Sequence, residues 1–161
     1  MKKAIFGREN GKLKIVISEP IDGRYMKEQE ILKKYWFFHP EKSPQRGSMC
    51  FGLECDEGWY PLLDKLCKKI EQLIDTKYPE LKTQENPFEV MQVKEKFGTL
   101  RFYTNFSIDE IDDLITQAED ESARTCEVCS DKGKLRNYGW YKTMCKKCYE
   151  ILLKERKIRN K

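Results

Sequence analysis

Cys126-x₂-Cys129 and Cys145-x₂-Cys148, fifteen residues apart, are the side chains of this chain best placed to do chemistry. Each pair sets two thiolates on one tight turn. Two such pairs facing each other complete a tetrahedral four-sulfur shell, the geometry that structural Zn²⁺ prefers. The spacing falls at the short end of that seen in paired-knuckle zinc sites. Two disulfides are the alternative, and they need an oxidising compartment. The start of the chain argues against one: Met1-Lys2-Lys3-Ala4-Ile5-Phe6 passes at once into Gly7-Arg8-Glu9, with no apolar stretch for a leader. No apolar run reaches the length of a membrane span, so a reducing cytoplasm is expected and no membrane partner. A closed four-sulfur shell has no open position for water, so one Zn²⁺ per chain is expected to hold structure.

The remaining chemistry is sparse. His39 is the single histidine, which removes most His-based catalytic arrangements. His39-Pro40-Glu41 matches the H-x-E half of a zinc deaminase signature, but no proline precedes Cys126, and Cys145 and Cys148 already complete that metal's shell. No phosphate-binding loop, nucleophile elbow or H-E-x-x-H occurs, so a non-catalytic protein is expected. Cys67 follows Leu63 by four residues on an apolar stripe and reads as a core thiol. Cys50 and Cys55 lack knuckle spacing.

These residues must be positioned by an α+β fold: an antiparallel sheet packed against helices, with a C-terminal four-cysteine module of treble-clef or zinc-ribbon type. The expected division is a core over 1–123 and a basic zinc module over 124–161. Two β-prone runs, Lys3–Phe6 and Leu13–Ser18, flank a turn-rich Gly7–Gly11. A helix follows over Arg24–Tyr35, then the aromatic Trp36-Phe37-Phe38 and a loop from His39 to Gly47 that reads as a mobile connection. Asp56 is a candidate cap for the next helix, with Pro61 in its first turn and Leu62, Leu63, Leu66, Ile70, Leu73 and Ile74 as its apolar stripe. Phe88–Lys94 reads as a strand, Glu95–Gly98 as a turn and Thr99–Thr104 as the returning strand. Ser107 and Glu110 form a candidate capping box for an acidic helix whose Ile108, Ile111, Leu114, Ile115 and Ala118 face that hairpin. In the module, Lys134–Arg136 and Trp140–Thr143 pair about Asn137-Tyr138-Gly139, and the second knuckle opens a helix from Lys146 to about Arg159. Trp140 is expected to cover the metal site, with an exposed anchor as the sharper alternative.

The formal charge of +4 hides an asymmetry. Residues 124–161 carry 12 Lys/Arg against 4 Asp/Glu, while residues 1–123 carry 19 against 23. Ser107 to Ser122 holds seven acids and no base. A basic module on an acidic body can bind nucleic acid, an acidic protein surface or its own body.

The string Gln92-Val93-Lys94-Glu95-Lys96-Phe97-Gly98-Thr99-Leu100-Arg101-Phe102-Tyr103, preceded by Gly58-Trp59 and followed by the two knuckles with Gly139-Trp140 and Thr143 between them, resembles a family of small zinc-binding proteins found in phages and prophages. The resemblance runs from about residue 51 to 149. The zinc-bearing, lysine-rich character also resembles some phage-encoded anti-CRISPR proteins directed at Cas9. It implies a counter-defence inhibitor that binds a host nuclease complex such as Cas9 in the host cytoplasm and blocks loading of target DNA. The acidic helix, through Asp109, Asp112 and Asp113, would then enter Lys/Arg-lined channels, or Lys146 and Lys147 would carry the contact. The competing reading is a nucleic-acid-binding zinc protein, with Lys132, Lys134, Arg136, Lys142, Lys146 and Lys147 on phosphates and Tyr138, Trp140 or Tyr141 stacking. On the first reading, weak and salt-sensitive nucleic-acid binding is all that is expected of the isolated protein.

Overall fold

The computed structural model describes residues 4–9, 12–17, 27–42, 45, 47 and 49–159, with backbone alone for the first two segments. Ala4–Glu9 (β1) and Lys12–Ile17 (β2) pair antiparallel, Ala4 opposite Ile17 and Glu9 opposite Lys12. The strands therefore continue through Gly7-Arg8-Glu9, a stretch whose composition suggests a turn. The expected helix from Arg24 begins, within the described residues, at Glu28 and ends at Lys34 (α1), and Tyr35 already has extended backbone. Residues 24–26 of that expectation, and 43, 44 and 46 of the expected mobile loop, lie outside the described residues.

The core is built on a three-stranded sheet in the order β3-β4-β5. Val90–Lys96 (β4) and Thr99–Thr104 (β5) form the expected antiparallel hairpin, while the two-residue Leu53–Glu54 (β3) joins β4 in parallel. A register shift between Val90 and Gln92 lets one extra residue into β4. Val90 and Val93 both point inward for that reason, although their separation is odd. The turn is shorter than expected: only Phe97 (φ +52°) and Gly98 (φ +83°) leave the strands, the doubly left-handed pair that suits the twist of a two-residue hairpin.

Tyr60–Lys77 (α2) buries Leu62, Leu63, Leu66, Cys67, Ile70 and Ile74, the predicted stripe, with Pro61 in the first turn where no amide hydrogen is needed. Asp109–Ser122 (α3) buries Ile111, Ile115 and Ala118 and packs on α2 and β5. Its polar side chains also finish the sheet edge. Ser122 Oγ accepts from Leu100 N–H at 2.9 Å and Glu119 Oε1 from Phe102 N–H at 3.2 Å, so two β5 edge amides are paired and closed to another strand. Tyr35, Phe37, Phe38, Phe88 and Phe102 form a buried aromatic cluster; the Tyr35 and Phe37 rings stack at 5.6 Å. Each such pair adds about 1 kcal/mol to the burial itself.

Neither predicted cap forms: Asp56 and Glu110 reach other elements, and Ser107 bonds a side chain of the helix it precedes. Asp56 makes no capping bond and turns its carboxylate to Lys142. Ser107 bonds Asp112, and Glu110 reaches Lys77 and Tyr78 on α2.

Beyond residue 123 the chain runs knuckle, hairpin, knuckle, helix. Lys134–Asn137 (β6) pairs antiparallel with Tyr141–Met144 (β7), and Lys146–Arg159 (α4) starts directly after Cys145.

Candidate metal centre

Cys126, Cys129, Cys145 and Cys148 are all buried, and their four sulfurs lie within 4.8 Å of one another. Cys129 Sγ and Cys145 Sγ are 3.7 Å apart. A disulfide needs about 2.05 Å. A tetrahedral thiolate shell with metal–sulfur bonds of about 2.3 Å has sulfur–sulfur edges of about 3.8 Å. The cluster therefore fits a four-coordinate metal ion, and all seven cysteines are free of disulfides. His39 is not part of it: its Nδ1 lies 2.9 Å from Glu41 Oε1. The deaminase pattern is thus absent in space as well as incomplete in sequence.

Local chemistry prepares the site. Ser130, directly after the first knuckle, is left-handed (φ +64°), which lets its N–H donate back to Cys126 O at 2.9 Å. Gly133 packs so closely that a Cβ there would stand 2.8 Å from Cys126 N. Cys148 N–H points at Cys145 Sγ at 3.4 Å, and the first turn of α4 brings its partial positive charge to the same sulfur. Cys126, Cys129 and Cys148 compete for charge. Thiol hydrogen bonds from Cys129 and then Cys148 hold Cys126 far below the usual thiol range. The same contact to Cys126 drives Cys129 and Cys148 upward. A bound cation resolves that conflict by letting all four ionise.

Val128, Met144 and Leu152 shield the sulfurs. Trp140 does not. It stands 60 % exposed at the hairpin tip and donates from Nε1 to Glu95 Oε2 at 3.4 Å, which corrects the expected covering role. Its position follows from Gly139 (φ +93°), which turns the chain outward just before it.

Nothing in the sequence signals how the module is fastened. Trp59 is fully buried, with its Nε1–H on Thr125 O at 2.8 Å. Gly58 N–H donates to Glu127 O at 2.8 Å, Ser130 Oγ donates to Gly58 O at 2.7 Å, and Thr143 Oγ1 donates to Gly98 O at 2.6 Å. A Cβ on Gly58 would collide with the carbonyls of Glu127 and Cys126, so this approach requires glycine. Beneath these bonds is an ionic cluster of the buried Glu127 with the half-buried Asp56 and Lys142. Lys142 Nζ lies 2.5 Å from Asp56 Oδ2 and 3.3 Å from Glu127 Oε2, and Glu127 Oε1 accepts Asp56 N–H at 3.1 Å. Burial pulls the Lys142 amine toward neutrality, but the Glu127 and Asp56 carboxylates outweigh it and hold the amine charged. Burial pushes the Glu127 carboxyl above its ordinary range, with Lys142 acting against that push. Gly58-Trp59 and Phe97-Gly98, which carry much of the family resemblance, thus sit on this seam.

The other candidate residues separate in space. Lys142 is consumed at the seam, and Arg136 lies on the Tyr149 ring, 5.0 Å from its centroid. Lys132, Lys134, Lys146 and Lys147 are exposed, the third of them 3.8 Å from Glu150. Tyr138 is half-buried under Arg156, while Tyr141 is exposed. On α3, Glu110, Glu119 and Glu121 pair with Lys77, Arg101 and Lys65. The paired acids of the helix therefore meet α2 and β5 and not the basic module. Asp109 and Asp113 are exposed. So is Asp120, absent from the sequence-derived set although it stands eleven residues after Asp109 on the same helical stripe.

No helix among the described residues is long and apolar enough to cross a membrane. Comparison with protein-family models, curated proteins and solved structures finds no match to this chain.

Proposed function

We propose that this chain is a non-catalytic binding protein of phage counter-defence type that holds one structural Zn²⁺ and acts by stoichiometric occupation of a protein partner. Zinc is favoured over other ions because four thiolates in a closed tetrahedral shell are its preferred structural environment. The observation that carries the binding role is the outer stripe of α3. Its glutamates 110, 119 and 121 are spent on holding the helix to the body, while Asp109, Asp113 and Asp120 face solvent with no ion pair among the described residues. Asp109 and Asp113 are about 6 Å apart along the axis, a rigid row of negative charge. Such a row suits a cation-lined nucleic-acid channel, where it would compete with phosphates. The family resemblance supplies the kind of partner, a host nuclease complex such as Cas9.

The test is loading of labelled target DNA onto guide-bound Cas9 in the presence of the zinc-loaded protein. Half-inhibition should track the molar amount of Cas9, and Asp109→Lys/Asp113→Lys/Asp120→Lys should abolish it. Normal loading at large molar excess rejects Cas9 as the target. Sub-stoichiometric, time-dependent loss of nuclease rejects the binding mechanism itself.

A further inference from the structure

We propose that the abutting tips of the β4–β5 and β6–β7 hairpins form a binding site for single-stranded nucleic acid. Four large apolar side chains are exposed there: Phe97 at 70 %, Trp140 at 60 %, Leu135 at 51 % and Tyr141 at 46 %. Leu135 and Trp140 reach the β4–β5 turn. Leu135 Cδ1 rests on Gly98 in the space a Cβ would take, and Trp140 Nε1 bonds Glu95, so the module meets the core on both sides of Phe97. An exposed group of this kind on a folded chain marks a contact site.

Phe97 adds an independent sign. It is held left-handed (φ +52°) at a turn position that Asn, Asp or Gly fills without strain, and it gains no burial in return. Strain retained without a packing reward points to use by a ligand. The charges around the tips are cationic. Lys96 is exposed with its Nζ 5.8 Å from the Phe97 ring centroid, and Lys94 stands 5.4 Å from that of Tyr103 on the same outward strand face. Glu95, the carboxylate at the tip, is occupied by Gly98 N–H at 2.6 Å and by Trp140.

Rings with solvent-facing surfaces beside free amines match a single strand: bases stack on the rings and phosphates meet the lysines. A duplex keeps its base faces covered and offers the rings nothing. A protein partner fits less well, because lysine is depleted from the centres of protein interfaces. The inference uses neither α3 nor the protein-partner reading, and it places the contact at the seam of core and module instead of along the basic C-terminal strip.

The experiment is fluorescence anisotropy of the full, zinc-loaded protein with labelled oligothymidylate and oligouridylate of about twenty nucleotides, against a duplex of equal length. The single strands should bind at least about tenfold tighter than the duplex at low salt, with affinity falling as salt rises. Trp140→Ala and Phe97→Asn should each weaken binding about five- to a hundredfold, the range for loss of one stacked base. Phe97→Asn should at the same time raise the melting temperature by relieving the turn, so lost binding cannot be lost folding. Lys94→Gln and Lys96→Gln should flatten the salt dependence. Absence of binding to either strand, equal affinity for the duplex, or single-strand affinity unchanged in both aromatic variants would overturn the proposal, the first of these leaving the patch to a protein.

Discussion

The core and the module solve the same problem with different materials. Among the described residues, the core cluster holds 24 buried side chains, dominated by Leu, Ile and aromatics, whereas the module's cluster holds seven, of which four are the cysteines. The first closes by removing apolar surface from water. The second has too little such surface to fold on that account, and the proposed metal would supply what packing does not. The difference teaches where each half is vulnerable: the core to lost volume, the module to lost charge compensation.

The largest effect should come from the metal. Removing zinc by chelation, or by Cys126→Ser or Cys145→Ser, withdraws on the order of 10 kcal/mol from the module. The module's amides should lose hydrogen-exchange protection while α2, β4 and β5 keep theirs, and elemental analysis of the wild-type chain should give one zinc. A zinc-free protein with a protected module would erase the distinction between the halves.

Next comes the seam. Lys142→Met leaves the half-buried Asp56 and the buried Glu127 without their cation and should cost about 3–5 kcal/mol by denaturant unfolding. Lys142→Met/Asp56→Leu/Glu127→Leu should recover most of that, because an apolar replacement of a whole buried ionic group is close to neutral. Gly58→Ala forces Glu127 O away and should cost about 1–3 kcal/mol, with exposure of Trp59 seen as a fluorescence shift.

Acid should separate the halves most finely. Burial alone would raise Asp64, but the hydrogen bonds from Lys34 and Tyr35 prevail and hold its carboxyl below the ordinary 3.8. A lowered carboxylate stabilises the folded state above its unfolded pKa and loses that contribution only as pH falls through the folded value. Thiols bind protons more tightly than carboxylates do, so acid should displace the proposed metal before it protonates Asp64. On acid titration, metal release reported by a chromogenic chelator should therefore precede loosening of the α1–α2 contact, and the reverse order would contradict the comparison.

What can be read from the sequence follows the same division. The cysteine spacing is a property of local turns, so the four ligands and the helix that follows them are legible without a structure. The α2 stripe and β5 are legible because their periodicity answers to one buried face. The β4 boundary slips because a bulge breaks the alternation between Val90 and Val93. Asp56 and Glu110 read wrongly as caps, since sequence offers a local partner and the fold supplies a distant one, while Ser107 bonds the Asp112 side chain of the helix it precedes in place of a backbone amide. The seam leaves no local trace at all: Asp56, Glu127 and Lys142 have no periodicity to join them.

The bonds that flank the first knuckle bear on how quickly the metal is captured. Trp59 and Gly58 hold the carbonyls of Thr125 and Glu127, on either side of Cys126, and the Ser130 hydroxyl is tied to Gly58 just beyond Cys129. A folded core thus presents two of the four thiols before any ion arrives, and only the fifteen-residue excursion to Cys145 has still to close. That leaves one loop to be ordered, where a detached peptide would have to order both knuckles from a random start. The intact chain should therefore take up zinc faster than a 124–159 peptide at equal concentration, with the core acting as a template for its own appendage.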